Sequence, residues 1–379
     1  MRTLLSVVFF LIGPVPALAQ ERTYYVYVAS EAADKITAIR FGKPGAFVDH
    51  ELATGIMPVD IDGPHGLAVS RDRKYYYVSV AHGQPFGSLW KYSAGDDKVV
   101  GRVTLGMFPA TLDLSPGGDF AYVVNFNLHG DMVPSSVSIV STDDMTEIAR
   151  VQTCAMPHGS RLNASGSRHY SVCMMDEQLV EIDTATLKVS RHFVLTKGSE
   201  AGMPGPPMGL STASHDRAAA TGHGTESPKP GDISCSPTWA QPSASRSSVF
   251  AACNGSSEIV EVDTKTWKLV RRIPARSGVY NLGMTKDETK LIATNRRDQS
   301  VSVFDLSSGR ELARIPTKRK VVHGVTVSAD DRYAFVSVEG IGAEPGTVEV
   351  IDLSTLRTVA TVDVAPQAGG IDFWKVEGN

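Results

Sequence analysis

One short pattern returns seven times along the chain, and its spacing constrains the fold more than any other feature. Each copy is an aromatic or aliphatic residue followed by small or β-branched residues, as in Tyr77-Val78-Ser79-Val80. The other copies begin at Tyr27, Tyr122, Tyr170, Phe250, Ile292 and Phe335. The steps between first residues are 50, 45, 48, 80, 42 and 43. A period of about 40 to 45 residues with four short strands per repeat is typical of a β-propeller.

The surroundings of each copy support the same architecture. A turn rich in Asp, Gly and Ser precedes it, and a strand ending near an acidic residue follows it, as in Val260 to Asp263. Apolar and polar residues alternate with period two, which indicates half-buried strands. The first copy lacks a strand before Tyr24, and Gly369 to Phe373 has the pattern of that missing inner strand. We therefore predict an all-β, seven-bladed propeller over residues 20–379, closed by pairing of its N- and C-terminal strands.

The same element carries a resemblance to a known family. A Tyr-Val-x-Asn-like segment, with its Asn present at Asn125 and Asn295, precedes a strand that ends in Val-x-Asp. This combination resembles the YVTN family of β-propeller proteins over essentially the whole chain after residue 19. That family is similar to the propeller domains of nitrous-oxide reductase, cytochrome cd1 nitrite reductase and seven-bladed lactonases. The resemblance implies a fold rather than one function.

The first nineteen residues predict export. Arg2 precedes an apolar run from Leu4 to Ile12, and Ala17-Leu18-Ala19 gives a small-x-small cleavage pattern. A signal peptide over residues 1–19, with the mature chain starting at Gln20, places the protein in the periplasm or outside the cell. The alternative, an uncleaved membrane anchor, is disfavoured because the run is short, and no other stretch predicts a transmembrane helix.

Export would put the four cysteines in an oxidising compartment. Cys235 and Cys253 fall on adjacent antiparallel strands of one blade, which suits a disulfide. Cys154 and Cys173 flank His158 and would either form a second disulfide or ligate a metal. No cysteine belongs to a CxxCH motif, which argues against c-type haem. A net charge of -4 and a pI near 6.2 argue against a nucleic-acid partner.

The step of 80 residues marks an insertion. Residues at about 195–230 are rich in Gly and Pro, show no period-two alternation, and include His215 and His223. We interpret this segment as a long loop rather than an eighth blade. Such loops either carry function or are surface excursions.

Histidines collect at one predicted face of the ring. Strand direction alternates within a blade, so the loop entering an inner strand and the loop leaving a second strand open on the same face. His65, His158 and His323 share the first position, and His82 and His129 share the second. Imidazole suits copper, zinc and iron. We therefore predict a metal site, with copper favoured, formed by these five histidines, His192 lying at the root of the insertion.

Three functions fit these observations. The first is an accessory protein that binds a protein partner or a small ligand on its channel face. The second is a copper carrier or a copper-dependent oxidoreductase that uses the five histidines. The third is a lactonase-like hydrolase, for which Glu339, Arg296 and Asn125 are available near the channel.

Overall fold

Twenty-eight of the strands in the computed structural model form seven antiparallel sheets of four strands each, and one sheet gains a fifth strand at its edge. The structure describes residues 21–56, 61–82, 86–131, 133–207 and 234–378. The only helix among these residues is a 3-10 turn at Glu31–Ala33. No helix in the described part of the chain is long and apolar enough to cross a membrane. The arrangement is the predicted seven-bladed β-propeller.

Each blade runs outward from the central channel in four steps, and blades are numbered here from the N-terminus. The inner strands of blades 1 to 7 are Ala368–Glu377, Pro64–Val69, Pro109–Leu114, Pro157–Leu162, Pro237–Pro242, Val279–Met284 and Val322–Val327. The second strands are Thr23–Ser30, Tyr75–Val80, Phe120–Asn125, Arg168–Cys173, Ser248–Cys253, Lys290–Asn295 and Tyr333–Val338. The third strands are Lys35–Gly42, Ser88–Ser93, Pro134–Ser141, Gln178–Asp183, Glu258–Asp263, Ser300–Asp305 and Gly346–Asp352. The outer strands are Gly45–Ala53, Val99–Thr104, Thr146–Ala155, Lys188–Val194, Lys268–Pro274, Glu311–Pro316 and Arg357–Val364.

Blade 1 closes the ring as the sequence predicts. Its inner strand comes from the C-terminal part of the chain and pairs antiparallel with the first strand, so that Val28 lies opposite Ile371. The ring therefore has no unpaired inner edge at the seam, which removes a site for edge-to-edge association.

Apolar side chains fill the spaces between neighbouring blades. Between blades 1 and 2, the ring of Tyr27 stacks on that of Tyr76 with centroids 4.3 Å apart, and Tyr76 stacks on Tyr92 at 4.9 Å. All three side chains are almost completely buried. The repeated aromatic residue of the sequence pattern is thus a core residue between blades.

The Asn of the Tyr-Val-x-Asn pattern has a structural role. Asn125 donates from its amide nitrogen to the hydroxyls of Ser136 and Ser138, and its oxygen accepts from the backbone N–H of Gly106. The amide nitrogen of Asn295 donates in the same way to the hydroxyls of Ser300 and Ser302 inside blade 6. Asn125 is therefore not a channel group, and its predicted availability for a hydrolase site is wrong.

The start of the insertion is a strand instead of a loop. Ala201–Pro204 pairs antiparallel with the outer strand of blade 4 and gives that blade its fifth strand. A Cβ at Gly202 would lie 2.3 Å from the carbonyl oxygen of Trp267, so a glycine lets this strand approach blade 5. The central part of the predicted insertion, with His215 and His223, lies outside the described residues.

Both cysteine pairs form disulfides. Cys235 and Cys253 are bonded within blade 5, as predicted, with Cα atoms 4.5 Å apart. Cys154 and Cys173 are bonded with Cα atoms 5.9 Å apart, so of the two alternatives they take the disulfide. These four sulfurs are not available as thiolate ligands.

Candidate functional site

Four of the seven inner strands carry a histidine or a tyrosine as their second residue, and these side chains cluster at one mouth of the channel, here called the upper mouth. Three of these positions hold His65, His158 and His323, and blade 6 adds Tyr280. The ring centroid of His65 lies 5.6 Å from that of His323 and 6.3 Å from that of His158. The ring of Tyr280 lies 4.9 Å from that of His323. The structure therefore brings together the three histidines that the sequence placed at one position.

A glycine follows each of these histidines and lets neighbouring inner strands come close together at the mouth. A Cβ at Gly66 would lie 2.1 Å from the carbonyl oxygen of Ala110, and one at Gly159 would lie 2.3 Å from that of Thr238. Such distances exclude any side chain, because both obstacles are backbone atoms of the next inner strand. The His-Gly pairs of the sequence thus combine a channel-facing imidazole with close approach of neighbouring blades.

His158 has no free ring nitrogen. Its Nδ1 lies 2.9 Å from the carbonyl oxygen of Thr238 and must donate to it. Its Nε2 then accepts from the hydroxyl of Tyr280 at 3.0 Å. Burial, and secondarily the nearby His65, lowers the pKa of His158 to about 3. This histidine is a neutral structural group that fixes Tyr280.

Only one of the two ring nitrogens of His65 has a hydrogen-bond partner among the described residues. Its Nδ1 lies 2.7 Å from Oε2 of Glu31, and His82 places its Nε2 3.0 Å from Oε1 of the same carboxylate. Burial alone would raise the pKa of Glu31, but His65 and His82 outweigh it and hold that pKa well below its usual range. The hydrogen bond that His82 donates to Glu31 outweighs burial and raises the pKa of His82. The Nε2 atom of His65 is buried and has no hydrogen-bond partner among the described residues.

His323 shows a similar arrangement with a second carboxylate. Its Nε2 lies 3.7 Å from Oε1 of Glu339, which also accepts from Arg296 at 3.2 Å. Burial, the nearby His65 and the positive charge of Arg296 lower the pKa of His323 far below its usual value. The Nδ1 atom of His323 is buried without a hydrogen-bond partner in the described part of the chain.

A small chamber lies directly below this mouth, with a volume of about 30 Å³. Four of the side chains that line it each carry one buried polar atom without a partner among the described residues. These atoms are His65 Nε2, His323 Nδ1, Asn281 Oδ1 and Trp239 Nε1. Buried polar atoms are almost always hydrogen-bonded, so a cluster of four around one chamber indicates a place for an ion or small polar ligand.

His82 and His129 form a separate layer and do not line the chamber. Their rings lie 5.7 Å apart and nearly parallel, and Phe108 packs against both at 5.1 and 5.5 Å. The predicted set of five histidines therefore divides into three at the mouth and two outside it. His192 does not belong to this face, because it is buried in the outer strand of blade 4 with Nδ1 2.8 Å from the carbonyl oxygen of Gly205.

Within the described ranges, no three His, Cys, Asp or Glu side chains are grouped to hold a metal ion by themselves. Any ion in the chamber would need other donors beside two histidines. Sequence reasoning missed the most suitable one, Asn281, although it directly follows Tyr280 at an inner-strand entry. It also missed Glu31, which follows the second strand of blade 1 and satisfies the same loop rule as His82.

The comparisons with known proteins show the fold of this chain but not its function. No protein-family model and no curated protein matches the chain, and the resemblance to the YVTN family remains a prediction. Among solved structures, the chain is similar to the periplasmic gluconolactonase of Pseudomonas aeruginosa, with a TM-score of 0.69, 15% identity and coverage of 94% of this chain and 100% of the other. This similarity establishes the propeller fold of the chain.

Two further solved structures show the same. A functionally unknown protein from Desulfotomaculum acetoxidans has a TM-score of 0.65 and 14% identity, with 92% of this chain and 98% of the other covered. Hydrazine synthase from Kuenenia stuttgartiensis has a TM-score of 0.61 and 17% identity, with 86% and 99% covered. Because propellers with such different descriptions share this fold, function has to be argued from the chamber.

Proposed function

We propose that the protein is an exported binding or accessory protein that holds a transition-metal ion, copper first, in the chamber below the upper channel mouth. The observation that carries the proposal is that His65, Asn281 and His323 all line one chamber. Each of them carries a buried polar atom, Nε2, Oδ1 and Nδ1 respectively, without a hydrogen-bond partner among the described residues. Neutral imidazole nitrogens and an amide oxygen are ligand types that divalent copper, zinc and nickel accept.

The spacing of the two histidines suits one shared ion. A metal–nitrogen bond of about 2.0 Å puts an imidazole centroid roughly 3.2 Å from the ion, so two ligating rings have centroids at most about 6.4 Å apart. His65 and His323 are 5.6 Å apart at nearly perpendicular planes. His158 lies at a similar distance from His65, but both its nitrogens are occupied.

Each proposed histidine ligand has a carboxylate behind it. Glu31 contacts the far nitrogen of His65, and Glu339 lies near the far nitrogen of His323. Metal-binding histidines usually have such a partner, which fixes the tautomer and the ring orientation. In this proposal His82 holds Glu31 in place, and His129 packs against His82 instead of ligating the ion.

Donor chemistry favours copper(II) over copper(I). Copper(I) prefers thiolate and thioether ligands, and all four cysteines are in disulfides. Among divalent first-row ions, a given nitrogen and oxygen site binds copper(II) most tightly. Three protein ligands leave coordination positions open, so a copper-dependent oxidoreductase is the natural extension of a binding function. The two disulfides agree with the predicted export from the cytoplasm.

Metal analysis tests the proposal directly. Purified protein loaded with copper(II) and then freed of excess metal should retain about one equivalent, and His65→Gln and His323→Gln should each lower the affinity by about 100-fold, because each removes one of very few ligands. The control is His50→Gln, on the outer strand of blade 1. Retention of less than about a tenth of an equivalent by wild type, or equal affinity in all four proteins, would contradict the proposal.

A second candidate function is hydrolysis of a lactone. It is favoured by the Arg296–Glu339 pair at the upper mouth, where the guanidinium also lies 4.9 Å from the centre of the Tyr280 ring. A cation held in this way can stabilise negative charge that develops on a carbonyl oxygen. The propeller of a gluconolactonase has a similar fold, which supports the candidate only at that level.

A panel of sugar lactones, alkyl lactones and esters tests this candidate. Turnover by wild type should fall about 100-fold or more in Arg296→Gln, as expected for loss of a charge-stabilising donor. Arg297→Gln is a matched control, because Arg297 is the next residue and donates to the carbonyl oxygen of Asn254 instead. No turnover by wild type on any substrate removes the candidate.

A further inference from the structure

Two further residues of the chamber wall, Trp239 and Arg161, carry hydrogen-bond donors. Trp239, on the inner strand of blade 5, is 4% exposed, and its Nε1–H is without a partner among the described residues. The guanidinium of Arg161 lies 4.4 Å from the centre of the Trp239 ring and also lines the chamber. Arg161 donates from Nη1 to the carbonyl oxygens of Ser160 and Leu112 at 2.8 and 3.4 Å.

Two carboxyl groups face Arg161 from farther down the channel, and both are engaged by backbone donors. Asp113 accepts from the N–H of Leu162 at 2.7 Å, and Asp372 accepts from the N–H of Val69 at 2.8 Å. These bonds join neighbouring inner strands, so each carboxyl group has a structural role. Arg161 is therefore the charged group that, together with the indole N–H, is placed to act on the contents of the chamber.

We propose that the chamber takes a small monovalent inorganic anion, which accepts a hydrogen bond from Trp239 Nε1 and is attracted by Arg161, on the side of the metal ion away from the histidines. This inference rests on the proposed metal site and names the kind of ligand that completes it. A buried water needs about 10 to 15 Å³ of such volume. The chamber of about 30 Å³ thus has room for an ion and one small anion beside it.

Azide is a suitable probe, because its binding to copper(II) gives a charge-transfer absorption that can be titrated. Trp239→Phe removes the N–H but keeps an aromatic ring, and it should weaken azide binding about 10-fold, as for one lost hydrogen bond to a charged ligand. Arg161→Gln should weaken it by at least as much. Copper affinity should change less than about 2-fold in Trp239→Phe, because the indole is not a proposed ligand. Arg161→Gln should not weaken copper binding, because it removes a positive charge that repels the ion.

Trp90→Phe is the matched control. The Nε1 of Trp90 already donates to the hydroxyl of Ser88 at 2.9 Å within blade 2, so this variant should bind azide like wild type. Copper binding with azide affinity unchanged in both Trp239→Phe and Arg161→Gln would overturn the anion site while leaving the metal site intact.

A second measurement separates this proposal from the metal proposal. Crystals of metal-free protein soaked in bromide should show an anomalous peak beside Trp239 Nε1, lost in Arg161→Gln. If copper does not bind, the proposed function fails, and this peak alone then decides whether an anion site exists. Its absence in wild-type crystals would overturn the inference.

Discussion

The buried side chain of His169 makes the folded protein less stable as the pH falls. It lies on the second strand of blade 4, completely buried, with its ring 5.1 Å from that of Tyr122 at an angle of 23°. Neither ring nitrogen has a hydrogen-bond partner among the described residues. Burial, and to a smaller extent the charge of Arg161, lowers the pKa of His169 to about 3. The folded protein therefore keeps this imidazole neutral where the unfolded chain protonates it.

Replacing His169 by Phe should stabilise the protein increasingly as the pH falls. Between an unfolded pKa of about 6.5 and the folded value, the unfolded state binds one more proton, so wild type loses about 1.4 kcal/mol per pH unit. The variant has no such titrating group at this position. Its unfolding free energy, relative to that of wild type, should therefore increase by about 2 kcal/mol between pH 7.5 and pH 5. Urea denaturation at several pH values measures it.

His50 supplies a control of opposite sign. Burial opposes protonation, but hydrogen bonds to Asp49 and Asp97 outweigh it and raise the pKa of His50. Its contribution is fully present below a pH of about 6.5 and is lost as the pH rises through the higher folded pKa. His50→Gln should therefore be more destabilising at pH 5 than at pH 8.5. Parallel pH profiles for the two variants would contradict the assignment of His169.

At the scale of single elements, the inner strands position the site. Gly66 and Gly159 lie so close to the backbone of the next blade that neither can carry a side chain. Gly283, on the inner strand of blade 6, is different, because an added Cβ would lie 3.3 Å from a methyl group of Val325. Gly66 and Gly159 therefore set the spacing between neighbouring inner strands, whereas Gly283 can accept a methyl group.

Gly66→Ala should destabilise the fold by about 2 kcal/mol or more, since overpacking against backbone forces strands apart. Gly283→Ala should cost less than about 1 kcal/mol, because side-chain atoms can shift by a few tenths of an ångström. Thermal unfolding of both variants measures the difference. Equal melting temperatures would show that the inner strands do not need this close approach.

The sequence was informative about these elements where a local rule applied. Alternating strand direction was enough to bring His65, His158 and His323 to one mouth, and hairpin register was enough for the Cys235–Cys253 disulfide. The strand Ala201–Pro204 was missed, because four residues with Gly and Pro give no period-two signal. The occupied nitrogens of His158 depend on partners 80 and 122 residues away, which no local pattern records.

At the scale of the whole molecule, the chamber belongs to no single blade. Each of the seven inner strands contributes at least one residue to its wall. In blade order these include Gly370, His65, Thr111, Arg161, Trp239, Asn281 and His323. The seven-fold period predicted the ring, but the composition of this wall depends on which residues of the seven inner strands meet at the axis. That meeting is a tertiary property, so the donor set Asn281, Trp239 and Arg161 was not predicted.

The chamber wall is complete only after the N- and C-terminal strands have paired in blade 1, so its formation depends on the order in which the chain is synthesised. Residues 368–377 leave the ribosome after every other strand, and until they join Thr23–Ser30 the axis has one side missing. A nascent chain can present separate imidazoles to a metal, but it has no enclosed chamber to retain one. Loading of the proposed ion would then be a late event in the life of the protein, after the ring has closed.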